Sequence, residues 1–153
     1  MKIYMLCGQS GSGKSTFGMK LQEELPNCAF IRIDDIPLEL EPIERYYRYI
    51  NKFVESIKSK QYDTIILDHH HSLRIMREEI LDKIPIDCGE IELIVISLRP
   101  GTNNIISWRK TSSEPIINAV KHLYESYEMP TDEEFNKYGF KSVSNIVINN
   151  SIL

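Results

Sequence analysis

Cysteine is scarce in this chain of 153 residues: Cys7, Cys28 and Cys88 are the only three. An odd number without metal-like pairing excludes a disulfide framework and a thiolate zinc site, and fits single thiols in a reducing compartment. Long apolar runs are missing as well. Nothing approaches the roughly 20 residues that a membrane-spanning helix needs. The first residues, Lys2-Ile3-Tyr4-Met5-Leu6, run straight into a glycine turn, which is not the layout of a signal peptide. The expectation is a cytoplasmic protein with no membrane partner. A basic excess is the third absence: 18 Lys and Arg stand against 22 Asp and Glu, a formal net charge of −4. The chain as a whole therefore has no electropositive surplus to draw nucleic acid, although a local basic groove remains compatible with that balance. No linker, repeat or low-complexity segment interrupts it. Hydrophobic residues at 42% and charged residues at 26% give enough apolar material for one core. The expectation is a single domain over 1–153.

What is present is an alternation of short apolar strands and helices. Strands are expected over 3–7, 29–33, 64–67, 91–98 and 143–148. Helices are expected over 14–25, 41–60, 72–84 and 115–127, the first stopped by Pro26 and Asn27. In the second helix Tyr46, Ile50, Phe53, Val54 and Ile57 recur at three-to-four spacing, the mark of one buried face. Apolar strands separated by helices predict an α/β fold, a parallel sheet covered on both faces. The polar stretch over about 100–114 reads as an excursion from that domain.

The strongest local signal is Gly8-Gln9-Ser10-Gly11-Ser12-Gly13-Lys14-Ser15, with Thr16 following. It fits G-x-x-x-x-G-K-[ST] at every fixed position. A chance match somewhere in such a chain is roughly one in two hundred from average composition, and here a strand precedes it and a helix follows. The glycines let the backbone approach phosphates closely, and the N–H groups and helix N-terminus face the anion. Lys14 can reach the β- and γ-phosphates, and the Ser15 hydroxyl can sit on Mg²⁺. ATP and Mg²⁺ are the expected cofactors.

Carboxylates follow at the strand ends. Asp34 and Asp35 stand at the end of the second strand, the edge where open α/β sheets bind ligands. One of them can take a proton from an attacking hydroxyl; their side chains are expected on opposite sides, so one does so, while a solvated turn before Pro37 would read the same way. Asp68 closes the apolar run Ile65-Ile66-Leu67, a Walker-B-like place for a carboxylate near Mg²⁺. His69, His70 and His71 read as a structural or acceptor-facing loop, since nothing nearby completes a metal site. Trp108-Arg109-Lys110 lies in the polar excursion, where a lid arginine can offset developing phosphate charge.

These residues resemble the kinase domain of phage polynucleotide kinases and the wider group of small P-loop kinases, over nearly the full length. Gly8 to Thr16 is similar to the family's phosphate loop. Ile33-Asp34-Asp35 is similar to its Asp-Asp pair, and Asp68 falls on its acidic position. Trp108-Arg109, followed by Pro115 and a helix, resembles its lid, and the stretch 127–135 resembles its ending before the last strand. The resemblance implies a P-loop NTPase three-layer sandwich with a five-stranded parallel sheet in order 2-3-1-4-5 and a short lid. It implies Lys14, Asp34 and Arg109 as catalytic residues and Ser15 and Asp68 as the metal side. The chain departs from the family where Pro37 replaces an arginine, Ile105 stands four residues before Arg109, and histidines replace a Thr-Asn pair. The implied activity is transfer of the γ-phosphate of ATP to a hydroxyl, first the 5′-end of a polynucleotide, alternatively a nucleoside or sugar; an ATP-binding regulatory module or ATPase is the further alternative. A guanine-recognition element is missing, which argues against a GTPase. Phosphates beyond the reacting end of a polymer would need cations, and Arg45, Arg48, Arg74 and Arg77 are the helix residues available, although solvated surface charges would read the same way.

Overall fold

In the computed structural model the described residues are 1–9, 12–100, 113–115, 118 and 126–150. Five strands, β1 (Lys2–Cys7), β2 (Cys28–Arg32), β3 (Thr64–Asp68), β4 (Glu92–Pro100) and β5 (Ser142–Asn150), form one parallel sheet in the order β2-β3-β1-β4-β5. This is the order expected from the resemblance. The central β1 and β3 are apolar on both sides because helices cover both faces. Alternation along each strand then assigns its residues to two cores.

On one face Ile3, Met5, Ile31, Ile65, Leu67, Leu93 and Val95 meet two helices, α2 (Pro42–Lys58) and α3 (Arg74–Leu81). The buried stripe of α2 is Tyr49, Ile50, Phe53 and Ile57, with Tyr46 and Val54 at its margins. Each fully buried side chain of this size contributes about 1.5–3 kcal/mol. Pro42 opens α2, where its missing N–H has no helical partner to lose. On the other face Leu6, Ile66, Ile96 and Leu98 pack with Phe17 and Leu21 of α1 (Lys14–Glu24). Among the described residues, one helix on this side and two on the other give the sheet its covering layers.

Two segments after β3 differ from the sequence reading. The helix expected over 72–84 begins only at Arg74 and ends at Leu81, because the chain after it breaks into turns before Pro85. A 3-10 helix, Asp132–Tyr138, precedes β5. It is nucleated by a capping box in which Thr131 and Glu134 satisfy each other's backbone N–H groups. The excursion over about 100–114, with Arg109, and most of the helix expected over 115–127 lie outside the described residues, as do Ser10 and Gly11. Among the described residues no helix is long and apolar enough to cross a membrane.

Candidate active site

The phosphate loop is held open by steric necessity. At Gly8 a Cβ would lie 2.5 Å from the Leu98 carbonyl oxygen and 2.8 Å from Ser12 Oγ, so no larger residue fits between β1 and β4. Gly13 takes φ 90° immediately before α1, a left-handed conformation that glycine adopts freely. Ser12 is fully buried and its N–H donates to the Gln9 carbonyl at 3.2 Å. Lys14 and Ser15 thus start the helix at the sheet's C-terminal edge. Lys14 Nζ donates to the Gln9 carbonyl at 3.4 Å, a long bond that an incoming phosphate oxygen would improve on. Burial lowers the Lys14 pKa from its usual value, against the opposing pull of the Asp68 and Asp34 charges.

Strand register brings the acidic residues to the same place. β3 runs parallel between β1 and β2, pairing Asp68 with Leu6 on one side and Arg32 on the other. Residues paired in register share a face, and here that is the face of α1. Ser15 Oγ therefore donates to Asp68 Oδ2 at 3.0 Å. A hydroxyl and a carboxylate oxygen side by side are the hard donors that Mg²⁺ takes in phosphate sites, with waters and phosphate oxygens completing its shell. The residues fit the ion.

The same register explains a cation that the sequence reading passed over. Arg32 Nε lies 3.5 Å from Asp68 Oδ2, and its terminal nitrogens lie 3.9 Å from Asp34 Oδ2 and 4.0 Å from Asp35 Oδ1. Its Nε is buried without a hydrogen-bond partner, and its guanidinium sits 5.5 Å from the Phe30 ring centroid. The expectation that Asp34 and Asp35 point to opposite sides assumed a strand. The chain instead leaves β2 at Arg32 and enters a 3-10 turn, Ile33–Asp35, in which both carboxylates approach one guanidinium. Asp34 is the one whose charge acts on Lys14 and on His70. Arg45 ties that turn to α2: its Nη2 donates to the Ile33 carbonyl at 3.0 Å and to the Ile36 carbonyl at 3.3 Å.

The histidines divide into two tasks. His71 Nδ1 lies 2.6 Å from the Leu6 carbonyl, which only accepts, so Nδ1 carries the proton and Nε2 accepts from Tyr49 Oη at 2.9 Å. Burial pushes the His71 pKa down to about 3, against the favourable carbonyl contact. His70 exchanges two bonds with the first loop glycine: the Gly8 N–H donates to the His70 carbonyl at 3.0 Å, and His70 Nδ1 donates to the Gly8 carbonyl at 3.2 Å. These two residues brace the base of the phosphate loop. His69 leans instead on α2, with ring centroids 5.5 Å from Tyr49 and 5.9 Å from Tyr46. Burial, helped by His71 and His70, pushes its pKa down to about 2.

All four helix arginines considered for polymer phosphates have partners in the fold. Arg77 is 1% exposed and holds Glu134 through Nε at 2.6 Å and Nη2 at 3.2 Å, while its Nη1 donates to the His71 and Glu128 carbonyls. It is a buried clip between α3 and the 3-10 helix, not a surface cation. Arg74 pairs with Glu78 at 2.8 Å, and Arg45 clamps the turn. Arg48 pairs with Glu44 at 3.0 Å and stays on the surface. The Thr131-Asp132-Glu133-Glu134 string was a legible capping signal for the 3-10 helix; nothing in sequence marked Glu134 as the Arg77 partner.

No protein-family model and no curated protein matches the sequence significantly. Solved structures do. A fungal RNA kinase matches over 93% of this chain and 72% of its own, with a TM-score of 0.68 and 15% identity. A gluconokinase from Sinorhizobium meliloti matches over 97% of this chain and 82% of its own, with a TM-score of 0.60 and 17% identity. A sugar kinase from a Janibacter species matches over 97% and 85%, with a TM-score of 0.60 and 16% identity. At these identities the likeness is one of fold: the chain has the fold of the P-loop kinases. A shared fold does not by itself fix the reaction or the substrate.

Proposed function

We propose that this protein is an ATP- and Mg²⁺-dependent kinase whose acceptor is the 5′-hydroxyl of a polynucleotide. The observation that carries the reading is the clustering, at one sheet edge, of Lys14, the Ser15–Asp68 pair and Asp34. Lys14 and the N–H groups of the phosphate loop bind the β- and γ-phosphates. Ser15 and Asp68 would hold Mg²⁺, which would supply positive charge to offset that of the phosphates. The acceptor oxygen attacks the γ-phosphorus, the bond from that phosphorus to the β–γ bridging oxygen of ATP breaks, and Asp34 receives the acceptor proton. Arg109, from the lid, is assigned to the charge on the transferring group. The proteins of similar fold include an RNA kinase, which supports a polymer acceptor.

A second reading, a small alcohol as acceptor, draws on the net charge of −4 and on the gluconokinase and sugar kinase of similar fold. Labelled ATP with a panel of 5′-hydroxyl DNA, 5′-hydroxyl RNA, nucleosides and sugars separates them. Label should pass to the 5′-hydroxyl oligonucleotides and stop when the metal is chelated. Transfer to a free nucleoside or sugar, with no gain from added nucleotides, overturns the polymer reading.

A further inference from the structure

Among the described residues β2 is an edge strand, with no neighbour on one of its sides in the sheet. Between that free edge and α2 lies an open groove of about 610 Å³. Arg32 and Asp35, two residues of the carboxylate cluster, are among its lining, so the groove adjoins the candidate active site. Along α2 the groove is lined by Arg48 and Lys52, one helical turn or about 6 Å apart on a single face. Tyr62 supplies an aromatic ring. Three cations, Arg32, Arg48 and Lys52, line the groove with two carboxylates, Asp35 and Glu55; Arg48 also pairs with the half-exposed Glu44 at 3.0 Å, a surface ion pair weak enough for a phosphate to replace. The Lys52 ammonium has no ion-pair or hydrogen-bond partner among the described residues. The terminal nitrogens of Arg32 lie 3.9 and 4.0 Å from Asp34 and Asp35, beyond hydrogen-bond distance.

We infer that this groove is the track for the nucleotides that follow the reacting 5′-end of a single-stranded nucleic acid. The inference rests on the polynucleotide reading and specifies where the polymer runs. With the 5′-hydroxyl at Asp34, the first phosphodiester meets Arg32 and the next ones meet Arg48 and Lys52. The free edge of β2 offers backbone N–H groups to the same strand. Tyr62 provides a stacking surface, which tolerates any base. Cations spaced along one wall with an aromatic ring match a single strand, whereas a sugar or nucleoside would leave most of the groove unused.

The test compares a 5′-hydroxyl dinucleotide with a 5′-hydroxyl hexanucleotide, by acceptor KM and by fluorescence anisotropy of the labelled oligomer. The hexamer should bind at least several-fold more tightly. Its logarithmic salt slope should be steeper by about 0.7 for each added phosphate contact. The double variant R48Q/K52Q should weaken the hexamer about tenfold and the dinucleotide far less, and should lower the hexamer's salt slope by about 1.4. Circular dichroism of the variant checks that α2 is intact; both positions are exposed. Equal affinity for the two oligomers, or a variant that binds the hexamer as wild type does, overturns the groove. Because anisotropy needs no turnover, the two readings fail separately: an oligomer that binds and responds to R48Q/K52Q but is never phosphorylated upholds the groove and removes the polynucleotide kinase.

Discussion

Asp68 and Asp34 stand at the ends of neighbouring strands and share one arginine, yet they are held in opposite ways. The Asp68 side chain is 5% exposed and receives the Ser15 hydroxyl at 3.0 Å. The Asp34 side chain is 70% exposed, and its ion pair with Arg32 spans 3.9 Å. A buried carboxylate with a firm donor is preorganised, whereas an exposed pair at that distance is screened by water and holds little. The donor half of the site is therefore built before any ligand arrives. The acceptor half is a loose set of charges on a turn that Arg45 anchors from behind. This division suits a kinase, since the same nucleotide is bound in every cycle while the acceptor must bring its hydroxyl to a carboxylate that still has lone pairs free.

The largest break in that comparison should come from the donor half. Lys14→Ala removes the charge aimed at the β- and γ-phosphates and should lower kcat/KM by about 10³ or more, with the fold preserved by circular dichroism. Turnover equal to wild type would remove the site from the phosphate loop. Next in size is Asp34→Asn, which keeps the shape and removes the base. The expected cost is roughly 10²–10⁴ in kcat, with KM for ATP unchanged, if the proposed role toward the acceptor holds. Asp35→Asn should cost much less; the reverse order would exchange the two roles.

The same division decides what could be read from sequence. The donor half is contiguous: eight residues from Gly8 to Ser15 specify loop, helix start and cation, and their motif needs no partner elsewhere. Asp68 was legible because an apolar strand ends on it. The order of the sheet was legible only through resemblance, since periodicity gives strands but not their neighbours. Arg32 escaped because its meaning comes from register: it becomes part of the site when β2 and β3 pair Arg32 with Asp68. Arg45 and Arg77 were read as surface cations by helical spacing, which cannot reveal that Ile33, Ile36 and Glu134 lie within reach. The histidine run was read as structural or acceptor-facing, and the tautomer logic of His71 required knowing that a carbonyl faces one nitrogen and a tyrosine the other.

Arg45 sharpens the comparison from the acceptor side. Its two-carbonyl grip on the Asp34 turn makes it a positioning residue, since it touches the backbone and not the reacting groups. Arg45→Ala should let the turn drift and lower kcat by roughly 10- to 100-fold, the scale of small misplacements in an active site. KM for ATP should stay at the wild-type value. Lysine should not rescue, because a single ammonium cannot reproduce the planar fork that spans two carbonyls. A change in ATP affinity matching the loss in kcat would show that Arg45 supports the donor half instead.

The smallest effect concerns how the donor half is braced, and it appears in stability before it appears in rate. His71 must stay neutral to accept from Tyr49 while donating to Leu6, and burial holds its pKa at about 3 against an ordinary value of 6.5. The unfolded chain binds a proton on this residue at a higher pH than the folded chain does. Stability is therefore fully present above about pH 6.5 and declines as pH falls toward 3, by up to about 1.4 kcal/mol per pH unit from His71 alone. His70 and His69 are lowered too and add to the wild-type slope. Urea denaturation between pH 7 and pH 5, a window above most carboxylate titration, isolates the histidine contribution. His71→Gln has no proton to gain, so its free energy of unfolding should fall less steeply with acidification, by up to about 1 kcal/mol per pH unit, even where the variant is less stable at pH 7. Parallel pH profiles for the two proteins would mean that His71 is already protonated in the fold. Tyr49 and the Leu6 carbonyl could not then be its partners in the arrangement that braces the loop.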